Sequence, residues 1–293
     1  MNMPQVISSV DQLKKMPLPS EVLMCPPDYF DVIDVKNPFM EGQVGNVDRS
    51  LARRQWDDLK EAFTSVGVKV NLIKPVKDRE DMVFCANQTF VGLDADRKRL
   101  CVLSHMKHPS RRAEVPAFAD WFNANGYKVV SLPQNDSVLF EGSGDTLWHP
   151  GRALIWGGYG HRTNPEVYSS ISDFFGAPVI TLELKTERFY HLDTCFCPID
   201  EKTVLVYPPS LTDKGMALIR KIFSDVIVVN QYEAMERMAC NAAAFLSKHV
   251  VIQRGSEQVN QELRRRGFKV TEVETSEYMK SGGSVFCMKM TLF

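Results

Sequence analysis

A helical pattern followed at once by a short strand pattern recurs five times along this chain, and no other feature restricts the fold as strongly. The first instance is residues 49–66, where Leu51, Trp56, Leu59, Ala62, Phe63 and Val66 fall at helical spacing; the strand-like VKVNLI follows after Gly67. The others are VPAFADWFNANG with YKVVSL, PEVYSSISDFFG with APVITLEL, LTDKGMALIRKIF with SDVIVVN, and SEQVNQELRRRG with FKVTEV. A further apolar run (RLCVLS, RALIWG, TVLVYP, HVVIQ) precedes each of the last four helices, so the unit reads strand, helix, strand. The closing strands begin near residues 70, 129, 179, 226 and 270, an interval of about 45–60 residues that suggests one supersecondary unit repeated around an axis. Alternating strands and helices also describe an ordinary doubly wound α/β sheet, the commoner class. That class often carries a phosphate loop, yet no GxGxxG or GxxxxGK(S/T) opens a helix here. The expected class is α/β, as a propeller-like array of five units.

At 293 residues and 44% hydrophobic the chain can bury a large core, in one domain or two. No Ser- or Gly-rich linker divides it. Thirty-five basic against thirty-six acidic side chains leave a net charge of -1, so no global field draws in nucleic acid or an anionic membrane, and the expected partner is a small molecule. The amino-terminal MNMPQVISSVDQLKKMPLPSE lacks the apolar core of a signal peptide, and no run approaches the roughly 18–20 apolar residues of a membrane span. Seven cysteines, an odd and scattered set, read as reduced thiols, and a soluble cytoplasmic protein is expected. Composition leaves the oligomeric state open, a homo-oligomer included.

Several short segments carry candidate chemistry. FYHLDTCFCP, residues 189–198, raises a choice between metal site, redox site and catalytic base. A C-x-C pair makes poor tetrahedral geometry, and no second ligand pair exists. Redox use of Cys195 and Cys197 lacks the usual two-residue spacing at a helix start. Alternation would instead place both cysteines on one strand face as small core residues, with His191 and Asp193 sharing a face at that strand's start. FEGSGDT, residues 140–146, follows a strand-like run at 137–140 and sets Glu141 and Asp145 around small residues; a solvated turn would look the same. In SGGSVFCM, residues 281–288, Gly282 and Gly283 precede a strand expected to carry Cys287, whose alternative is a buried structural thiol. Asn87 closes a strand-like run in VFCANQ, residues 83–88. LMCPPDYF at 23–30, through KNPFM at 36–40, reads as rigid and irregular. Arg111 and Arg112 in PSRRA and Arg162 in GHRT are basic positions that could equally be solvated surface charges.

Taken in this order, the segments resemble the pentein superfamily of guanidino-group-modifying enzymes over nearly the whole chain. The resemblance implies a single catalytic domain over residues 1–293, with five pseudo-repeats of strands and a helix around a central funnel. It maps the family's glutamate, histidine and cysteine onto Glu141, His191 and Cys287, although EGSGD here is one residue longer than the deiminase EGGD. Within the superfamily MCPPDYFDV, NPFMEG, ANQT and EGSGD look most like the cyanobacterial-type arginine dihydrolases, which carry arginine to ornithine, ammonia and carbon dioxide. Where deiminases have an aspartate in FTRD, this chain has Asn87 in FCAN.

The implied chemistry suits these residue types. A guanidinium carbon is a poor electrophile, so it must be held by carboxylates and attacked by a strong, soft nucleophile. On the resemblance, Cys287 is that nucleophile and His191 the general acid and base. Glu141 holds the guanidinium with Asp193 and Asp145 as further acceptors, Arg111 and Arg162 clamp an α-carboxylate, and Asn87 and Asn37 make neutral contacts. No metal or organic cofactor is implied. Rival readings are a citrulline-forming deiminase, a dimethylarginine dimethylaminohydrolase, an amidinotransferase, and a non-catalytic pentein; the last would have lost the cysteine, histidine or glutamate, and all three are present.

Overall fold

The computed structural model describes residues 10–133 and 138–293; the first nine residues of the amino-terminal stretch, and Ser137 at the start of the strand expected at 137–140, lie outside them. Among the described residues the strands form five separate three-stranded sheets, one for each expected unit. In each sheet a central strand pairs antiparallel with an inner strand on one side and parallel with the closing strand on the other. The parallel pair is joined through a helix because a parallel connection must travel back along the sheet.

The central strand, helix and closing strand of the first unit are Glu21–Met24, Arg49–Ser65 and Lys69–Leu72. Its helix buries Ala52, Trp56, Leu59 and Phe63 on one stripe, and the carboxylate of Asp48 caps it by accepting the Leu51 N–H. The second unit runs Thr89–Leu93, Arg99–Leu103, helix Val115–Ala124, Lys128–Ser131. The third runs Thr146–Trp148, Ile155–Tyr159, helix Val167–Phe175, Val179–Glu183. The fourth runs Phe196–Pro198, Thr203–Val206, helix Asp213–Ile222, Asp225–Val228. The fifth runs Ala243–Phe245, His249–Gln253, helix Glu257–Arg265, Lys269–Val273. The inner strand of the first unit is the carboxy-terminal Met290–Leu292, whose Met290 lies opposite Leu23. Val91, Leu147, Cys197, Ala244 and Thr291, one from each inner strand, line a common cavity of about 820 Å³, so the inner strands surround one axis. No helix among the described residues is long and apolar enough to cross a membrane.

Four local expectations need correction. Residues 21–24 form the first central strand, although the sequence reads as irregular from Leu23; three of the four residues are buried, so no alternation marks them. His191 and Asp193 do not open a strand but flank Leu192 in a 3-10 turn, Leu192–Thr194. Cys287 sits in a turn ahead of Met290–Leu292, not on the strand. Asn87 lies between the 3-10 turn Glu80–Val83 and the strand Thr89–Leu93, so it precedes a strand and does not close one. The physical reason is common to these last three. A turn lets successive side chains point in independent directions, whereas a strand allows only alternate ones to share a face.

The carboxy-terminal strand joins the Cys287 turn to the first unit, and Met290 is 1% exposed. Met290→Ala is expected to lower the free energy of unfolding by about 2–5 kcal/mol in a urea titration. Lys69→Ala, on the exposed edge of the same sheet, is expected to cost under about 1 kcal/mol.

Candidate active site

The segments just before the inner strands meet at one end of the axis. Glu141 precedes the 3-10 turn Gly142–Gly144 and has no solvent exposure. Its Oε2 lies 2.7 Å from His191 Nε2 and 3.2 Å from Arg162 Nη1, and its Oε1 accepts the Lys107 N–H at 2.9 Å. Burial alone would raise its pKa, but the Arg162 guanidinium and the His191 contact together hold the carboxyl well below its usual range. The turn requires glycine at two places. Gly142 has φ +55°, and a Cβ there would stand 2.4 Å from the Thr89 carbonyl oxygen. A Cβ on Gly144 would stand 2.5 Å from Asn87 Nδ2 and 3.0 Å from His191 Nδ1, so any side chain would drive those two groups apart.

Asn87 is buried between a cation and the imidazole. Its Oδ1 accepts from both Nη atoms of Arg111 at 3.4 Å, and its Nδ2 lies 3.5 Å from His191 Nδ1. An amide nitrogen can only donate, so Nδ1 is the acceptor and Nε2 carries the hydrogen that faces Glu141. Arg111 also donates from Nε to both oxygens of Glu114 at 3.1 Å. Burial pushes the Glu114 carboxyl up to about 7 despite that cation. Arg162 rests over the Tyr190 ring, 4.8 Å from its centroid, and donates to the Lys36 carbonyl at 2.7 Å. Both arginines are buried, which excludes the solvated alternative; Arg112 is half-buried and bonds the Met106 carbonyl.

The thiol of Cys287 faces two partners. Its Sγ is 3.1 Å from Asp193 Oδ2 and 3.2 Å from Asn241 Nδ2. Burial first, then the Asp193 carboxylate, push the thiol well above its ordinary value, so the resting cysteine is protonated and donates to Asp193. Burial likewise pushes Asp193 up to about 7, against the opposing pull of its Cys287 bond and of Lys289.

Asn37, Asp81, Asn87, Arg111, Arg162 and Cys287 line one cavity of about 330 Å³, together with Lys36 and Tyr190. Asn37 accepts the Phe39 N–H and donates to the Ser281 carbonyl, tying the 36–40 segment to the loop that leads to Cys287. Glu141, His191, Asp193 and Asp145 do not line this cavity; the first three touch residues that do, Arg162, Asn87 and Cys287 respectively, whereas Asp145 touches none of these. Its Oδ1 accepts the Leu192 N–H at 3.0 Å, so it supports the His191 turn from behind, and burial pushes its carboxyl up to about 6. Cys195 and Cys197 bond the Leu192 and Ala242 carbonyls within the largest core cluster and stand apart from His191 chemistry. The cavity of about 820 Å³ toward the other end has Lys289 as its sole charged lining residue and none of the sequence-predicted site residues.

Sequence reasoning passed over Lys36, Asp81, Tyr190 and Asn241. Lys36 pairs with Asp81 at 3.2 Å and Glu80 at 2.9 Å beside Asn37. The signal for Asn241 was available in the repeat, since Asn87 and Asn241 each stand two residues before the inner strand of their unit.

Residues 28–293 match the model of the N,N dimethylarginine dimethylhydrolase family, eukaryotic. The bifunctional arginine dihydrolase/ornithine cyclodeaminase ArgZ of Synechocystis sp. is 36% identical over 271 residues, 92% of this chain and 37% of that protein. The chain therefore spans little more than a third of that relative's length. The N(G),N(G)-dimethylarginine dimethylaminohydrolase of Mycobacterium tuberculosis is 33% identical over 279 residues, 95% of this chain and 88% of that one. The crystal structure of a mutant N-terminal domain of ArgZ bound to substrate, an arginine dihydrolase from the ornithine-ammonia cycle in cyanobacteria, superposes with a TM-score of 0.87. Its sequence is 35% identical, and the match covers 92% of this chain and 97% of that one.

Glu141 is depressed below its ordinary 4.5, so its contribution to stability is present above that pH and is lost as pH falls further. Arg162→Met strands the buried carboxylate and is expected to cost about 3–5 kcal/mol at pH 7. The difference between wild type and variant should shrink below pH 4.5, where Glu141 is increasingly protonated in the variant; urea titrations across pH check this.

Proposed function

The chain belongs to the dimethylarginine dimethylhydrolase family of the pentein superfamily, and on that premise we propose that it is a cysteine-dependent arginine dihydrolase. The reading treats residues 1–293 as one catalytic domain and Cys287, His191 and Glu141 as its reacting set. A single observation carries it. Cys287 and a neutral amide, Asn87, line one cavity with two buried arginines, and the His191–Glu141 pair stands directly behind that lining, His191 against Asn87 and Glu141 against Arg162.

In this mechanism Arg111 and Arg162 take the α-carboxylate of arginine, and Asp81 on the same wall offers an anion to the α-ammonium. Asn37 and Asn87 contact the substrate as neutral groups. The guanidinium settles against Asp193 and Glu141, and its positive charge replaces the thiol proton as the partner of Asp193, which favours the thiolate. The thiol proton passes to His191, Cys287 attacks the guanidino carbon, His191 gives that proton to the departing nitrogen, and ammonia leaves. Water deprotonated by His191 attacks the amidino-thioether; the carbon–sulfur bond breaks, its electron pair returns to sulfur, and citrulline forms.

Asn87 decides what happens next. An ionised aspartate can only accept, so it would meet the ureido oxygen of citrulline acceptor against acceptor. An amide offers donors as well and can hold either species after rotation. Citrulline so held undergoes a second attack by Cys287 with loss of the second ammonia; a second water then breaks the carbon–sulfur bond, the electron pair returns to sulfur, and the carbamate formed loses carbon dioxide to leave ornithine. The similarity to the N-terminal domain of ArgZ, an arginine dihydrolase, supports this reading, since the match covers 97% of that domain. Seven free, buried thiols are in keeping with a cytoplasmic setting. The family model and the mycobacterial relative favour a second reading, hydrolysis of dimethylarginine, which needs room around the substituted nitrogens.

Incubation with arginine is expected to give ornithine with about two ammonia per arginine, and Asn87→Asp to shift the product toward citrulline. Citrulline with a single ammonia from the wild type would refute the dihydrolase assignment, and faster turnover of dimethylarginine would favour the second reading. Cys287→Ala is expected to be folded and inactive. Agmatine, which lacks the carboxylate, is expected to turn over at least about tenfold less efficiently in kcat/KM; equal use would remove the arginine clamp.

A further inference from the structure

Four of the five segments that precede an inner strand carry residues of the reaction proposed above: Asn87, Glu141, His191 with Asp193, and Cys287. The fifth carries Asn241, and its side chain makes four hydrogen bonds. Asn241 has no solvent exposure. Its Oδ1 accepts the Ser284 N–H at 3.0 Å and the Cys287 N–H at 3.2 Å. Its Nδ2 donates to the Asp193 carbonyl at 3.1 Å and to Cys287 Sγ at 3.2 Å. Two N–H groups on one side and a carbonyl on the other fix which end of the amide faces the sulfur.

The two halves of this side chain do different things. The oxygen ties down the backbone of the Ser284–Cys287 turn, which is a structural task. The nitrogen faces the reacting atom. Of the two side-chain groups bonded to Sγ, Asp193 presents a carboxylate, which opposes a sulfur anion, and Asn241 alone can donate to one. Asn241, and after it the Ser284 backbone, lower the Cys287 thiol where Asp193 raises it. We propose that Asn241 is the hydrogen-bond donor that stabilises the Cys287 thiolate, both when it forms for attack and when the carbon–sulfur bond breaks and returns its electron pair to sulfur. This rests on the reading of Cys287 as the nucleophile.

The test exploits a difference of sign. Asn241→Asp keeps an oxygen for the Ser284 and Cys287 N–H groups but sets an acceptor against Sγ. If Asn241 is the thiolate donor, its loss raises the thiol pKa. If it only holds the turn, loosening admits water and lets the thiol relax downward toward the free value of about 8.5. The measurement is the rate of Cys287 alkylation by iodoacetamide from pH 7 to 10, read on the Cys287 peptide by mass spectrometry, so it needs no turnover. Slower alkylation at every pH, with kcat for arginine down about tenfold or more and KM within about threefold, is expected. Equal or faster alkylation would overturn the inference. Because the new carboxylate of Asn241→Asp would itself raise the thiol, Asn241→Leu, which removes the donor without adding charge, is read by the same criterion and decides the outcome. Full turnover by Cys287→Ala would instead remove the nucleophile reading, and the alkylation result would stand apart from it.

Discussion

The carboxylate of Glu141 is held out of water, with Arg162, His191 and the Lys107 amide as its partners. An anion without solvent must be paired and hydrogen-bonded, and the pairing here spreads outward into the rest of the site. By taking a hydrogen from Nε2 it leaves His191 Nδ1 to accept from Asn87, which orients the imidazole between a carboxylate and an amide. By binding Arg162 it fixes a side chain that also reaches the Lys36 carbonyl, next to Asn37. Tyr190, stacked under Arg162, donates to the Gly282 carbonyl and so anchors the approach to Cys287. One buried charge thus connects the third and fourth units to the carboxy-terminal turn.

The five-unit arrangement explains how residues so far apart in sequence reach one place. Each inner strand stands next to the axis, so the segment entering it also ends near the axis. Turns at these entries, such as Gly142–Gly144 and Leu192–Thr194, direct neighbouring side chains differently: Glu141 toward His191, Asp145 behind it, Asp193 toward Cys287. The resulting site is at rest with its sulfur protonated against Asp193, and on the proposed reading a bound guanidinium supplies the positive charge that releases it. That reading couples nucleophile and substrate, since the sulfur would be activated only when there is a carbon to attack.

The helix–strand units were legible in the sequence because a helix such as Arg49–Ser65 sets its apolar residues in one stripe and ends at a left-handed glycine, Gly67. The inner strands were not. Phe196–Pro198 and Met290–Leu292 are three residues long and largely buried, which leaves no alternation to read, and Glu21–Met24 was lost for the same reason. Site residues borne on turns have no period either. Glu141, His191, Cys287 and Asn87 stood out through resemblance to known motifs, and the structure gathers them. Asp145 carried over equally well by motif, yet it bonds the Leu192 backbone, while Glu141 and His191 touch the cavity residues Arg162 and Asn87. Asn241 lies in the bland run Cys240 to Phe245, where only comparison of one unit with another would have drawn it out.

The covalent role of Cys287 is the claim on which the functional account rests, and it is open to direct observation. Wild-type enzyme mixed with arginine labelled at the guanidino carbon, quenched in acid within the first turnovers and digested, should carry the label on the Cys287 peptide and on no other cysteine. Steady release of labelled product with Cys287 unmodified at every quench time, or with the label on another of the seven cysteines, would contradict it.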